Sequence, residues 1–253
     1  MIDTVHAPIN EWVHAPVNNE LGEGEAHIWR ASLDQPADMI AKFAPLLSKD
    51  EYQKAKRFHR LTDCQRFIAG RGILRKIISA YLSLAPDVVQ FVYNQYGKPF
   101  ISAAQNHGAL SFNLSHSHGM ALYAVARGRR IGIDIEHKRE DFATLEVAER
   151  FFSKDEFEAL KAVPTDQRTR AFFNCWSRKE SYIKAIGMGV SYPLDEFTVS
   201  LALNVSPALL KVDEDATEAS RWNMYELDAG EEYAAALIVE NPSVFIRQFE
   251  WGR

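Results

Sequence analysis

The sequence predicts an α+β protein of two similar lobes, each a group of helices packed on a small antiparallel sheet. Three observations carry that reading. Apolar residues pass from helical spacing to short strand-like runs twice, once in each half of the 253-residue chain. The segments "HGMALYAVARG" and "EEYAAALIVE", which end the two strand-rich stretches, resemble one another. A hydrophobic content of 47% at this length suffices for one large core or two smaller ones. The expected division is an extended lead-in over 1–25, a first lobe over 26–128 and a second over 129–253. The lobes would join near Arg127 to Arg130, with the cleft between them as the default site.

The lead-in carries a short duplication, "VHAPIN" from Val5 and "VHAPVN" from Val13, whose prolines and asparagines make it extended. Two copies are too few for a repeat architecture. A strand is expected from Ala26 ("AHIWRASL"), then a helix over "KDEYQKAKRFHR" with Ser48 as N-cap. Helical spacing of Phe67, Ile68, Leu74, Ile77, Ile78 and Tyr81 predicts a long helix through "TDCQRFIAGRGILRKIISAYLSL", with Pro86 beyond its end. Strand-like pieces follow: "VVQFVY", the turn "NQYGKPF", "ALSFNLS", "MALYAVA" and "RIGIDIE". The second half restarts with "FATLEVAERFF" and "SKDEFEALKAV", the latter opened by a Ser153/Glu156 capping box. After Pro164 a long helix runs through "DQRTRAFFNCWSRKESYIKAIG" to Gly187. "EFTVSLAL", "RWNMYEL" and "EYAAALIVE" complete the second set of strands.

A net charge of −5 excludes a global basic field that would draw the chain to nucleic acid or anionic membrane. The N-terminus lacks a signal peptide's basic start and apolar run, and no stretch is apolar enough to span a bilayer. Cys64 and Cys175 stand far apart in no metal-like spacing and read as buried, reduced thiols, which suits the cytoplasm.

In "IGIDIE", alternation puts Ile131, Ile133 and Ile135 on a core face and Gly132, Asp134 and Glu136 on the other. Two carboxylates spaced about 6.6 Å along a strand can approach one cation, and hard oxygens without His or Cys favour Mg²⁺ over zinc. A solvated acidic edge strand gives the same pattern. In "FFNCWSRKESYIKAIGMG", Glu180 shares a helix face with Phe173, Trp176 and Ile183, and Lys184 follows one turn later. An exposed i,i+4 pair is the ordinary reading of Glu180 and Lys184. A carboxylate on a packed face asks instead for a metal, or for a lysine with a phosphate. "FNLSHSHG" could hold a phosphate through hydroxyls, backbone N–H groups and an imidazole, or be a surface turn. "YGKP" makes a rigid turn presenting one lysine. Lys54, Lys56, Arg57, Arg60, Arg66 and Arg71 form either a solvated helix face or an anion-binding rim. Together these groups suit a metal-bound polyphosphate and transfer to or from it. No Walker loop, dinucleotide glycine turn or Ser-His-Asp order is present.

"YGKP", "FNLSHS", "GIDIE" and "WSRKESYIKAIGMG", in this order and at these separations, resemble the Sfp-type 4′-phosphopantetheinyl transferases. "RFFSKDEF" and "YPLDEFTV" are similar to the family too. The resemblance runs from about Ser48 to Val199, and more loosely to Val239. It implies a monomer of two pseudo-twofold-related α+β lobes with coenzyme A as substrate in the cleft. By resemblance Asp134, Glu136 and Glu180 are Mg²⁺ ligands, with Mn²⁺ able to stand in, and Glu136 ligates directly or through water. Lys184 would contact the coenzyme A phosphates and Trp176 would shape the site. Ser115 and His116 would lie near the 3′-phosphate with Lys54 and Arg66, and Lys98 and Pro99 on the adenine side. Glu51 stands where some members carry lysine. Asp134, Glu180 and Lys184 would be the catalytic residues, and the partner an apo acyl or peptidyl carrier protein. The competing readings are a coenzyme A or nucleotide-binding protein, or a divalent-cation module, without transfer activity.

Overall fold

The computed structural model describes residues 12–14, 20–203 and 205–252. The first copy of the lead-in duplication lies outside them. Of the second, Val13–His14 forms strand β1. The first half continues with β2 (Glu25–Ser32), α1 (Ala37–Phe43), α2 (Lys49–Ala55), α3 (Leu61–Leu82), β3 (Phe91–Tyr93), β4 (Pro99–Ile101), β5 (Leu110–Ser117) and β6 (Met120–Arg127). The second half holds β7 (Ile131–His137), α4 (Leu145–Phe151), α5 (Lys154–Ala162), α6 (Thr165–Ile186), β8 (Phe197–Val199), β9 (Leu209–Val212), β10 (Trp222–Glu226), β11 (Tyr233–Glu240) and β12 (Phe245–Glu250).

Two sheets organise the molecule. One has the order β1-β12-β2-β6-β5 and the other β10-β11-β7. The antiparallel meanders expected from alternation are present, as β5 with β6 and as β10 with β11. The last strand differs from expectation: β12 leaves the second half and pairs parallel with β2, between β2 and β1. Its "FIRQFE" run is short and follows a proline, so period alone gave it no address. Helix α1 and strand β9 are likewise absent from the expected set, and α2 stops at Ala55 rather than running on to Arg60.

Three apolar clusters follow from this layout. The first lies under α3, where Ile68, Leu74, Ile77, Ile78 and Tyr81 are buried against Trp29, Tyr123 and Phe249. The second lies under α6 and gathers Phe172, Phe173, Ile183 and Phe197. The third joins the two sheets: Ala26, Ile28, Leu122 and Ala124 meet Ile131, Ile133, Ile135 and Leu237. The isoleucine face of "IGIDIE" is thus a lobe–lobe core, and its other face turns to α6.

The lobes share one further device. Ser48 and Ser153 each open a helix with a complete capping box, closed by Glu51 and Glu156. Both glutamates are buried and take cations from the long helix of their own lobe. Arg71 and Arg75 of α3 reach Glu51, and Lys179 of α6 reaches Glu156 at 2.6 Å. The repeated "SKDE" at 48 and 153 is the sequence mark of this device.

Candidate active site

Gly132 decides how close β7 comes to α6. A Cβ there would stand 2.0 Å from the Ser181 carbonyl oxygen and 2.5 Å from the Ala185 nitrogen, so only glycine allows this approach. The close contact brings the Asp134 face of the strand under the Glu180–Lys184 turn of the helix. Lys184 Nζ then donates to Asp134 Oδ1 at 2.5 Å and to Ser115 Oγ at 2.7 Å. The lysine therefore pairs across to the strand; the i,i+4 geometry had suggested Glu180 as its partner.

Strand β5 holds β7 from the other side with alternate side chains. Asn113 Oδ1 accepts from the Ile133 N–H, Ser115 Oγ donates to Asp134 Oδ1 at 2.9 Å, and Ser117 Oγ donates to Glu136 Oε2 while accepting from the His137 N–H. Three polar rungs spaced two residues apart thus replace a backbone ladder between the sheets. Ser115, expected near a 3′-phosphate, stands in this seam beside Asp134.

The electrostatics are those of crowded acids. Asp134 is 1% exposed, and its Oδ2 is buried without a hydrogen-bond partner. Burial pushes the Glu136 carboxyl up to about 7, with the Asp134 charge as the next cause. Burial and then Asp134 also raise Glu180, against the opposing charge of Lys184. One lysine cannot neutralise three carboxylates, and the crowding shows in the raised Glu136 and Glu180 carboxyls. Among the described residues no three of His, Cys, Asp and Glu stand close enough together to hold a metal ion. The donor chemistry still fits a hard divalent cation, because the acids are all oxygen donors and one buried Asp134 oxygen is unclaimed.

Beside this patch lies a cleft of about 430 Å³, walled by residues of the first half alone rather than by both lobes. Lys54, Arg66, Pro99 and His116 line it, as do Phe58 and His118. His116 joins the two regions: surrounding walls, then the Lys184 charge, lower its pKa, and Asp134 and Lys54 also act on it. Arg66 is already held by Asp34 in a two-pronged pair at 2.7 and 2.8 Å. Lys54 extends over the Phe67 ring. Lys98 turns away from the cleft and donates to the Lys184 and Ala185 carbonyls at 2.5 and 3.0 Å. Trp176 stacks on Phe172 at 5.8 Å and meets Phe142 and Phe151 edge-on, one turn before Glu180.

Of the predicted residues, the structure brings together Asp134, Glu136, Glu180, Lys184 and Ser115 at the seam. It places Lys54, Arg66, Pro99 and His116 in the cleft, and it sends Lys98 to the end of α6. Sequence reasoning missed Asn113, Ser117, Asp34 and Asn94. Alternation in "FNLSHS" could have disclosed the first two, since residues 113, 115 and 117 share a face. Asp34 sits in a loop that carried no signal.

A cleft whose wall carries Lys54, Arg66 and His116 beside Asp50, Glu51 and Asp63, next to the seam's carboxylates and lysine, suits a transferase acting on a polyphosphate substrate. The family comparisons agree. A model described as the 4′-phosphopantetheinyl transferase superfamily matches residues 130–238, and one described as 4′-phosphopantetheinyl transferase, N-terminal, matches 29–127. The chain belongs to the 4′-phosphopantetheinyl transferase family. It is 39% identical to the 4′-phosphopantetheinyl transferase HetI of Nostoc sp., over 90% of this chain and 93% of that one. It is 36% identical to a 4′-phosphopantetheinyl transferase of Bacillus subtilis, over 85% and 92% of the two chains. With the Sfp enzyme of the same species it shares 38% over 63% of this chain and 69% of that one. A solved holo-(acyl-carrier-protein) synthase of Bacillus anthracis in complex with CoA (3′,5′-ADP) overlaps 45% of this chain and 96% of its own, with TM-score 0.37 and 23% identity.

Proposed function

We propose that this chain transfers the 4′-phosphopantetheine of coenzyme A to a serine of an apo acyl or peptidyl carrier protein, leaving 3′,5′-ADP, with Mg²⁺ at the seam. The observation that carries it is the Lys184–Asp134–Ser115 contact, whose charges act on Glu136 and Glu180 nearby, beside the Lys54–His116 cleft. Asp134, Glu136 and Glu180 are the residues that would hold the ion, which when bound supplies charge neutralisation at the pyrophosphate oxygens. Lys54, His116 and Pro99 receive the nucleotide end of coenzyme A in the cleft. Ser115 acts at the seam, where it keeps Lys184 and Asp134 in register.

Glu180 takes the proton from the carrier serine hydroxyl, and burial, by raising its pKa, makes it a stronger base for that task. The freed oxygen attacks the β-phosphorus, the bond to the bridging oxygen breaks, and Lys184 faces the negative charge gathering on the leaving group. Trp176 walls the turn that carries Glu180. Cys175 is a buried free thiol and Cys64 is free. Among the described residues no helix is long and apolar enough to cross a membrane. Reduced, unpaired cysteines fit work in the cytoplasm.

The test is intact-mass spectrometry of an apo carrier domain incubated with the protein, coenzyme A and Mg²⁺. The expected result is a gain of one phosphopantetheine, abolished by EDTA. Glu180→Gln should lower the rate by about 10²–10⁴-fold, the usual worth of a general base. A rate within a few-fold of wild type would remove Glu180 from proton transfer.

A further inference from the structure

Helix α6 carries Glu180 and Lys184 near its C-terminal end, where the last carbonyls lack intrahelical donors. The β3–β4 turn, residues 94–98 of the first half, supplies those donors. Lys98 Nζ donates to the carbonyls of Lys184 and Ala185, and Asn94 Nδ2 donates to the Gly187 carbonyl at 2.8 Å. Asn94 also shapes the turn itself, because its Oδ1 accepts from the N–H groups of Tyr96 and Lys98 at 3.0 and 2.9 Å. Gly187 completes the fit. Its φ of +76° closes the helix, and a Cβ there would stand 3.2 Å from Lys98 Cδ. Burial lowers Lys98 to about 8, yet a cation at a helix C-terminus is favourably placed.

We infer that Asn94 and Lys98 are positioning residues for the transfer reaction: from one lobe they clamp the helix end of the other, and so set Lys184 against Asp134 and Ser115. This rests on the transfer reading above. Lys98 holds the main chain of the residue whose side chain meets Asp134, so a loosened clamp moves the ammonium while leaving the Lys54–His116 cleft intact.

The experiment measures transfer to an apo carrier domain and coenzyme A affinity by calorimetry for wild type, Lys98→Met, Asn94→Ala, Lys184→Ala and the Lys98→Met/Lys184→Ala double variant. Expected are kcat losses of about tenfold to a hundredfold in each clamp variant, the scale of an ångström-sized misplacement, with coenzyme A Kd within about threefold. In the Lys184→Ala background, Lys98→Met should add no further loss, the mark of a residue acting through another. Hydrogen exchange of amides 184–188 should quicken in both clamp variants, which reads the helix end without reference to activity. A raised coenzyme A Kd at unchanged kcat would make Lys98 a substrate contact instead. Full additivity with Lys184→Ala, or a lowered melting temperature with kcat per folded molecule intact, would also overturn the clamp. An inactive wild type that binds coenzyme A would count against the transfer reading, while the exchange result would still decide the clamp.

Discussion

Asp134 is nearly sealed from solvent, with one oxygen shared by Ser115 and Lys184 and the other bare. A fold selected for stability alone would have little reason to crowd Glu136 and Glu180 around it. The raised Glu136 carboxyl gives the sign of the cost. Its folded pKa of about 7 lies above the ordinary 4.5, so the folded chain holds the proton more tightly between those values. Stability of the metal-free protein therefore falls as pH rises from about 4.5 towards 7, and the whole penalty is present above 7. Glu136→Gln should accordingly raise the melting temperature in EDTA at pH 8 while lowering transfer. At about 1.4 kcal/mol per pH unit the gain is capped near 3 kcal/mol, and solvent at this half-buried group reduces it to about 1–2. Calorimetric melts of the two proteins at pH 5 and pH 8 check this, and an unchanged difference between the two pH values would sink it. The carboxylates were legible because alternation in "IGIDIE" and the 3.6 period of α6 assign faces. The Lys184–Asp134 pairing was not, since 50 residues separate the partners and no local period links them.

Elements show the same contrast. Helices α3 and α6 were readable from spacing, from Pro164 and from Gly187. The capping box at Ser153 was readable as well. What the box glutamates do afterwards was hidden: Glu156 accepts from Lys179, which is wholly buried and also donates to the Phe197 carbonyl. A hydrogen-bonded ion pair of this kind is costly to break from one side, because the remaining charge stays buried. Glu156→Gln should cost about 3–5 kcal/mol in denaturant melts, far more than the ~1 kcal/mol of a lost cap. A cost near 1 kcal/mol would show that Lys179 finds another partner. The lysine at Lys98 teaches the converse. "YGKP" correctly announced a turn presenting a lysine, but a turn's direction depends on what packs against it, and here that is the end of α6.

At the scale of the whole molecule, β12 ties the second half of the chain into the first sheet, where Phe249 packs on Trp29 and meets the His27 ring edge-on. His27 is fully buried and shares a hydrogen bond of 2.7 Å with the Tyr81 hydroxyl. Burial holds its pKa below 6.5, although Glu25 pulls the other way. The unfolded chain thus takes up this proton first as pH drops, so the His27 contribution is intact above about 6.5 and is lost as pH falls from there through the folded value. His27 contributes a decline in melting temperature as pH falls from about 7.5 to 5, opposite in sign to the Glu136 contribution, so the advantage of wild type over His27→Gln should shrink along that slope. An identical slope in the variant would remove His27 as its source.

By itself the sequence determined the two-lobe α+β class, the main helices and strands, the acidic strand face and the family, because these follow from period, caps and ordered motifs, all local along the chain. Only tertiary structure decided that β12 crosses to the first sheet, that Asn113, Ser115 and Ser117 bridge the sheets, and that Lys98 serves a helix end while Lys184 serves Asp134. Those choices depend on which surfaces meet, and that is set by the joint burial of Ile28, Leu122, Ile133 and Leu237 between the sheets and by the bare backbone at Gly132.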